Sequence, residues 1–322
     1  MPPAAIEIRS LTKRYGTVRG IDDIDLLVQP GEIFGFLGPN GAGKTTTIRV
    51  LLDELRPTSG RATVLGLDSH DDATAVHRRI GYLPGDLALY DRLTGAAHLD
   101  WLGRLRGDPH PVDRDRLVER FEVELDRPIR ELSKGNRQKV GLVQAFMHRP
   151  ELVILDEPTS GLDPLMQDEF QQLLRELVDE GRTVFLSSHS LDEVQHVADR
   201  VGIIRSGRLV TVQTVDDLEA AAVHRVEIRF AEVVDQAAFV GLPGVRDLEI
   251  DDDPAGSGSR LRCSLSGDPD LLIKAAAAYT VTDLVSQHAD LEEIFLTFYR
   301  GDGDESVRPG AGAEREEGLH VG

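Results

Sequence analysis

Residues 35–47, GFLGPNGAGKTTT, constrain this chain more than any other stretch. Residues 38–45 fit the pattern G-x-x-x-x-G-K-[ST]. A short apolar strand, IFGFL, precedes the pattern, and a helical run, TTIRVLLDEL, follows it. The glycines at 38, 41 and 43 let backbone N–H groups close around phosphate oxygens, and Pro39, Asn40, Ala42 and Thr46 complete the cradle. The following helix presents its positive end to the same anion. Lys44 adds a point charge on the outer phosphates, and the Thr45 hydroxyl suits Mg²⁺. A chain built around such a loop is an α/β protein with its ligand at the carboxyl ends of parallel strands.

A carboxylate partner is expected elsewhere. LVILDEP, residues 152–158, supplies it: a continuous apolar strand, suited to burial on both faces, ends at Asp156 and Glu157. Asp156 is placed to hold the hydration shell of Mg²⁺. Glu157 is placed to orient and deprotonate an attacking water. A second apolar strand closes on SSH, residues 187–189, where His189 can reach a γ-phosphate or a nearby water. Alone, the same cluster, with Ser190 before LDE, also reads as a helix cap.

Strands and helices alternate through this half of the chain, and residues 91–148 read as mainly helical. LMQDEFQQLLRELVDEG is an amphipathic helix ending at Gly181, LDEVQHVADR a helix, and VGIIRSGRLVTV a hairpin turning at Ser206 and Gly207. The composition shifts near residue 220. Residues 1–220 are expected to form one large domain, with a helical subdomain over about 86–148. HRVEIRFAE, VRDLEI and RLRCSL then alternate like half-exposed strands, and DPDLLIKAAAAY and LEEIFLTFYR read as helices. Residues 221–300 are therefore expected to be a small α+β domain. Residues 301–322, Gly-rich and acidic, are expected to be disordered.

With 56 Asp+Glu against 36 Lys+Arg, a formal net charge of −20, the chain repels nucleic-acid phosphates and anionic lipid. The single cysteine, Cys263, excludes an internal disulfide and suits the cytosol. The N-terminal stretch has no secretory pattern, and no apolar run approaches the roughly 20 residues of a membrane helix. Any membrane role comes through a partner.

ELSKGNRQKV, residues 131–140, has no covalent chemistry of its own. Ser133 and Gly135 open a helix, and two readings fit equally. One is an ordinary N-cap. The other is a second anion site, made of a hydroxyl, free N–H groups and a helix dipole. One phosphate loop and two half-sites in one chain point to a head-to-tail pair in which each chain closes the other's nucleotide.

Together these motifs resemble the nucleotide-binding subunit of ABC transporters, over residues 1 to about 220. ELSKGNRQKV is similar to the family signature, usually leucine-serine-glycine-glycine-glutamine. Leu132, Ser133 and Gly135 match, Gln138 and Val140 fit downstream, and Lys134 and Asn136 depart from it. The resemblance implies ATP and Mg²⁺ as cofactors, and a P-loop NTPase fold with a helical subdomain. It places Ser133, Gly135, Asn136 and Asp163 (in SGLD) at the nucleotide between paired subunits. It makes His189 the switch histidine and Tyr15, alone a plausible surface tyrosine, the ring that stacks on adenine. Where the family usually has a metal-contacting glutamine, IGYLPGDLALYDRLTG carries Gly85 and then Asp86. Gly85 has no ligating side chain, so Asp86 or a water stands in. YLPG, the lysine in the signature and the ending LEEIFL are similar to bacterial drug and antibiotic exporters.

The implied activity is ATP hydrolysis powering a separate integral-membrane permease, with the chain peripheral on the inner face of the membrane. Its partners would be a second copy of itself or a homologous ATPase subunit, and it would not touch the transported solute. An importer ATPase and an ABC-type ATPase acting on ribosomes or DNA are the alternatives. Ribosome- or DNA-acting proteins of this type usually fuse two cassettes or insert long coiled coils, which this chain lacks. For residues 221–300, steadying a dimer, regulation and permease contact all fit.

Overall fold

The structure is a computed structural model that describes residues 3–221, 223–252 and 258–288. The chain begins with an antiparallel pair, β1 (Ile6–Tyr15) and β2 (Val18–Val28), followed by β3 (Ile33–Leu37) and α1 (Lys44–Leu51). Then come β4 (Ser59–Val64), β5 (Leu67–Asp68), α2 (Ala73–Arg79) and β6 (Ile80–Leu83). The helical stretch follows as α3 (Gly95–Arg106), α4 (Arg114–Arg120) and α5 (Lys134–Phe146). Next are β7 (Leu152–Asp156), α6 (Pro164–Asp179), β8 (Thr183–Ser188), α7 (Asp192–Gln195), β9 (Arg200–Arg205), β10 (Arg208–Thr214) and α8 (Val215–Ala221). The last described elements are β11 (Val223–Phe230), β12 (Val245–Asp252), β13 (Ser259–Ser266), α9 (Asp270–Ala276) and β14 (Val281–His288).

The central sheet has six strands in the order β10-β9-β3-β8-β7-β6. All its pairings are parallel except that of β10 with β9. Strands β3, β7 and β8 are buried along their whole length, which explains their unbroken apolar sequences. Their side chains alternate between two cores. Ile33, Leu37, Val153, Leu155 and Leu186 pack on the side of α5 and α6. Phe34, Phe36, Ile154 and Phe185 pack on the other side with α1 and the antiparallel sheet β2-β1-β4-β5. This places the carboxyl ends of β3, β7 and β8 side by side.

Local expectations hold at several ends. α6 stops at Gly181, whose φ of 82° lets its N–H and that of Arg182 return to Val178 and Leu177 carbonyls. Ser206 and Gly207 both have positive φ and turn the β9–β10 hairpin. The tip of that hairpin braces the phosphate loop: the Gly207 N–H donates to the Ala42 carbonyl (2.8 Å), and its carbonyl accepts from Asp22 N–H (2.7 Å).

The helix read over LDEVQHVADR is only four residues long. Asp199 ends it by exchanging two bonds with Ile33 at the start of β3, N–H to carbonyl at 2.9 Å and Oδ2 from N–H at 2.8 Å.

The third sheet has four antiparallel strands in the order β12-β13-β11-β14. Strand, 3-10 turn (Gln236–Ala238), strand, strand, helix, strand is the βαββαβ arrangement with its first helix reduced to one turn. Val226, Ile228, Phe230, Leu261 and Leu265 pack with Phe239 and with Leu272 of α9 in a core of their own. β14 is a strand that the sequence pattern does not reveal. It is a sheet edge, with Val281 to Ser286 all exposed, so neither face carries an apolar alternation. The helix expected over 291–300 and the disordered tail expected over 301–322 lie outside the described residues.

Candidate active site

The phosphate loop leaves β3 at Leu37 and enters α1 at Lys44. Crowding requires two of its glycines. A Cβ on Gly38 would lie 2.5 Å from the Ile204 carbonyl oxygen. Gly43 has φ 116°, and a Cβ there would lie 2.7 Å from Ile21. No side chain caps α1 and no acidic residue occupies its first turn, so its free N–H groups are left for an outside anion. Lys44 is buried, and its Nζ donates to the Gly38 carbonyl at 2.6 Å.

β7 delivers the acidic pair. Asp156 is 3% exposed and accepts from both neighbours: Thr45 Oγ1 donates to Oδ2 at 2.9 Å, and Ser187 Oγ donates to Oδ1. Thr45 and Asp156 thus present two hard oxygens at the foot of α1, a set that fits a Mg²⁺ whose other ligands are phosphate oxygens and water. Among the described residues no group of three or more His, Cys, Asp or Glu could hold a metal.

Glu157 follows in the left-handed region, φ 51°, a conformation that concentrates at functional sites in non-glycine residues. Its Oε1 lies 3.2 Å from Lys44 Nζ, and its Oε2 lies 2.6 Å from His189 Nδ1. The His189 ring is exposed, so the pair can open toward solvent or a ligand.

These groups line one cleft of about 600 Å³. Pro39, Asn40, Gly41, Gly43, Lys44, Thr45 and Thr46 form one wall, and Asp156, Glu157 and His189 face it. Gly38 and Ala42 belong to the loop without lining the cleft, and hold it through their carbonyls. Tyr82, Gly85 and Asp86 close a third side. Burial, with Glu54 and Asp156 nearby, raises the Tyr82 pKa well above the ordinary phenol value, so Tyr82 stays a neutral donor. Gly85 lies directly against Asp156: a Cβ on it would be 3.2 Å from the Asp156 carbonyl oxygen and 3.5 Å from its carboxyl carbon.

Five expected residues stand outside this cleft. Tyr15 is 46% exposed with Lys13 Nζ 5.4 Å from its ring centroid, and it abuts Gly20, a residue of the cleft rim. Ser133 is the exposed N-cap of α5, its hydroxyl accepting from Asn136 N–H at 3.1 Å, with half-buried Gly135 two residues along. The Asn136 amide is engaged at both ends with the Glu124 backbone, each bond 2.9 Å. Asp163 is the exposed N-cap of α6.

Three residues of the surroundings make contacts that the sequence does not announce. Ser187 orients Asp156. Glu193 joins Thr159 and Ser188. Gln138 donates to the Pro158 carbonyl at 2.8 Å. The SSH cluster points to Ser187 and the signature resemblance to Gln138, whereas nothing points to Glu193.

A phosphate loop, a strand-end Asp-Glu pair and a histidine in one cleft define a nucleotide-hydrolysing P-loop protein. Comparison with known proteins narrows the class. A family model described as ABC transporter matches residues 21–160. The daunorubicin resistance ATP-binding protein DrrA3 of Streptomyces coeruleorubidus is 36% identical over 308 residues, spanning 92% of this chain and 96% of that protein. The bacitracin transport ATP-binding protein BcrA of Bacillus licheniformis is 37% identical over 217 residues, 66% of this chain and 71% of that one. Among solved structures, an ATP-binding subunit of an ABC transporter superposes with a TM-score of 0.62 at 30% identity, covering 67% of this chain and 92% of that chain. The ABC transporter cassette MJ0796, at 22% identity, covering 65% of this chain and 98% of that chain with a TM-score of 0.59, shares the fold. The chain belongs to the ABC transporter ATP-binding family and is an ATP-binding, ATP-hydrolysing protein.

Proposed function

We propose that two copies of this chain, or one copy and a homologous subunit, sandwich two ATP molecules and drive an integral-membrane exporter. The carrying observation is the separation of half-sites. The loop, Asp156, Glu157 and His189 line one cleft, whereas Ser133 stands exposed, with Gly135 half-buried beside it, at a helix start outside it. A second chain is needed to bring that helix start to the nucleotide.

In this reading the loop amides and Lys44 hold the β- and γ-phosphates. Thr45 and Asp156 hold Mg²⁺, which supplies charge neutralisation on the phosphate oxygens. Glu157 orients the attacking water and takes its proton, while His189 leaves Glu157 to contact the γ-phosphate. Ser133 Oγ and the N–H of Gly135 from the partner stabilise charge on the transferred phosphoryl group. Asn136 contributes as the clamp that fixes this turn to Glu124, and Asp163 faces the partner. Tyr15 stacks on adenine at the rim. A water between Asp86 and Asp156 fills the place of the absent glutamine.

Residues 1–220 act as the nucleotide-binding domain and residues 221–300 as an accessory domain that steadies the pair. Kinship with daunorubicin-resistance and bacitracin-transport ATP-binding proteins supports export of a drug or antibiotic. No helix among the described residues is long and apolar enough to cross a membrane. In this reading the chain works at the cytoplasmic face of a separate permease chain.

Glu157→Gln tests the reading. It should keep ATP binding, accumulate ATP-loaded dimers in analytical ultracentrifugation, and lower phosphate release about 10² to 10⁴-fold. Phosphate release at the normal rate by that variant removes the assignment.

A further inference from the structure

Lys134 stands where a lysine is not favoured. It is the first residue of α5, at the positive end of the dipole, in a turn with no acidic residue. A residue that breaks a local rule calls for a specific partner. Lys134 has one in its own chain. Its Nζ donates to Ser160 Oγ at 3.3 Å, and its methylene stem lies over Gly161, where a Cβ would be 3.2 Å from Lys134 Cε. Gly135 approaches the same loop so closely that a Cβ on it would lie 3.0 Å from the Gly161 carbonyl oxygen. One turn further, buried Gln138 donates to the Pro158 carbonyl at 2.8 Å.

Three contacts from the first two turns of α5 therefore fasten one loop. That loop starts at Glu157 in the cleft, passes Ser160 on the cleft wall, and ends at Asp163, the N-cap of α6. The helix start is the half-site offered to the partner's nucleotide, whereas the loop carries the chain's own hydrolytic carboxylate.

We propose that Lys134 is a positioning residue that couples the two nucleotides of the pair. ATP held in the partner and docked on Ser133 fixes the α5 start, and Lys134 carries that position through Ser160 to the Glu157 peptide. Hydrolysis in either cleft then responds to occupancy of the other. This rests on the two-chain reading above.

The test uses the full chain as Lys134→Ala, Ser160→Ala, the double variant and Lys134→Arg. ATP hydrolysis is followed against ATP concentration, and ATP-driven dimerisation is followed in the Glu157→Gln background. Each alanine variant should lose about 5- to 10-fold in turnover at saturation, with the Hill coefficient falling toward about 1. The ATP midpoint for dimerisation should stay within about twofold. The double variant should fall no further than either single one, because both remove the same contact. Lys134→Arg should recover most of the loss.

Two results overturn the proposal. One is full turnover and cooperativity in Lys134→Ala. The other is a tenfold or larger shift in the dimerisation midpoint with turnover intact, which would make Lys134 a direct nucleotide contact. If the two-chain reading itself fails, the unaltered chain shows no ATP-driven dimer and no cooperativity, a result separable from both.

Discussion

The central parallel sheet and the sheet of residues 223–288 use charge in opposite ways. Strands β3, β7 and β8 carry no charged side chain until their ends, where Lys44, Asp156, Glu157 and His189 converge. The third sheet carries its charges mid-strand on the face opposite Phe230 and Leu261. There Arg262 faces both Glu227 and Glu249 in register and pairs with Glu249 at 3.3 Å, while Arg229 sits opposite Asp283 and pairs with Glu227 at 3.1 Å. Charges in register on a strand face neutralise their neighbours. Charges at strand ends meet at one point and stay available for a ligand. Placement, rather than the number of charges, separates a reactive cleft from a solvated surface.

That contrast can be tested first through the cores. Ile154→Ala and Ile228→Ala each empty a fully buried position and should cost about 2–5 kcal/mol of local stability. Only Ile154→Ala should also weaken ATP binding, because β7 aims Asp156; urea unfolding paired with nucleotide titration reads both effects. Equal loss of binding in the two variants would break the comparison.

A smaller effect comes from His148 beside β6. Its Nε2 donates to the Ile80 carbonyl at 3.0 Å, its Nδ1 is buried with no partner among the described residues, and burial holds its pKa at about 4, below the ordinary 6.5. The unfolded chain therefore binds the proton more readily. Stability is complete above about pH 6.5 and falls as the pH drops toward 4, by up to about 3 kcal/mol. Denaturant titrations at pH 7 and pH 5 should show a loss that His148→Gln reduces.

Lys44→Ala comes next, with ATP affinity lower by about 10- to 100-fold, the range of a charge-assisted contact of about 1.5–3 kcal/mol. Fluorescent-nucleotide titration measures it. The smallest change belongs to the open face. Arg262→Ala should leave the unfolding midpoint nearly unchanged, since its partners Glu249 and Asp251 are exposed and solvent screens the pairs. It should leave ATP hydrolysis unchanged.

The two regions also differ in how far the sequence reveals them. The phosphate loop is contiguous, and each of its residues answers a local demand, so it can be read without any tertiary information. Asp156 and Glu157 were legible because a fully buried strand has an unmistakable apolar run. What stayed hidden depends on contacts between distant segments: Ser187 to Asp156, Gln138 to Pro158, and Lys134 to Ser160. α7 reads longer than it is because Asp199 is claimed by Ile33. β14 was missed because an edge strand lacks the one-sided alternation that marks its neighbours.

The brace between Gly207 and Ala42 extends the phosphate loop's requirements beyond its own motif. A Cβ on Gly207 would lie 2.8 Å from the Gly20 carbonyl oxygen, so a larger residue cannot take its place in the turn. Lengthening that turn by even one residue would slacken the grip on nucleotide while every motif residue stayed in place. Tolerance to insertion at this tip should therefore be far lower than its surface position and ordinary turn sequence suggest.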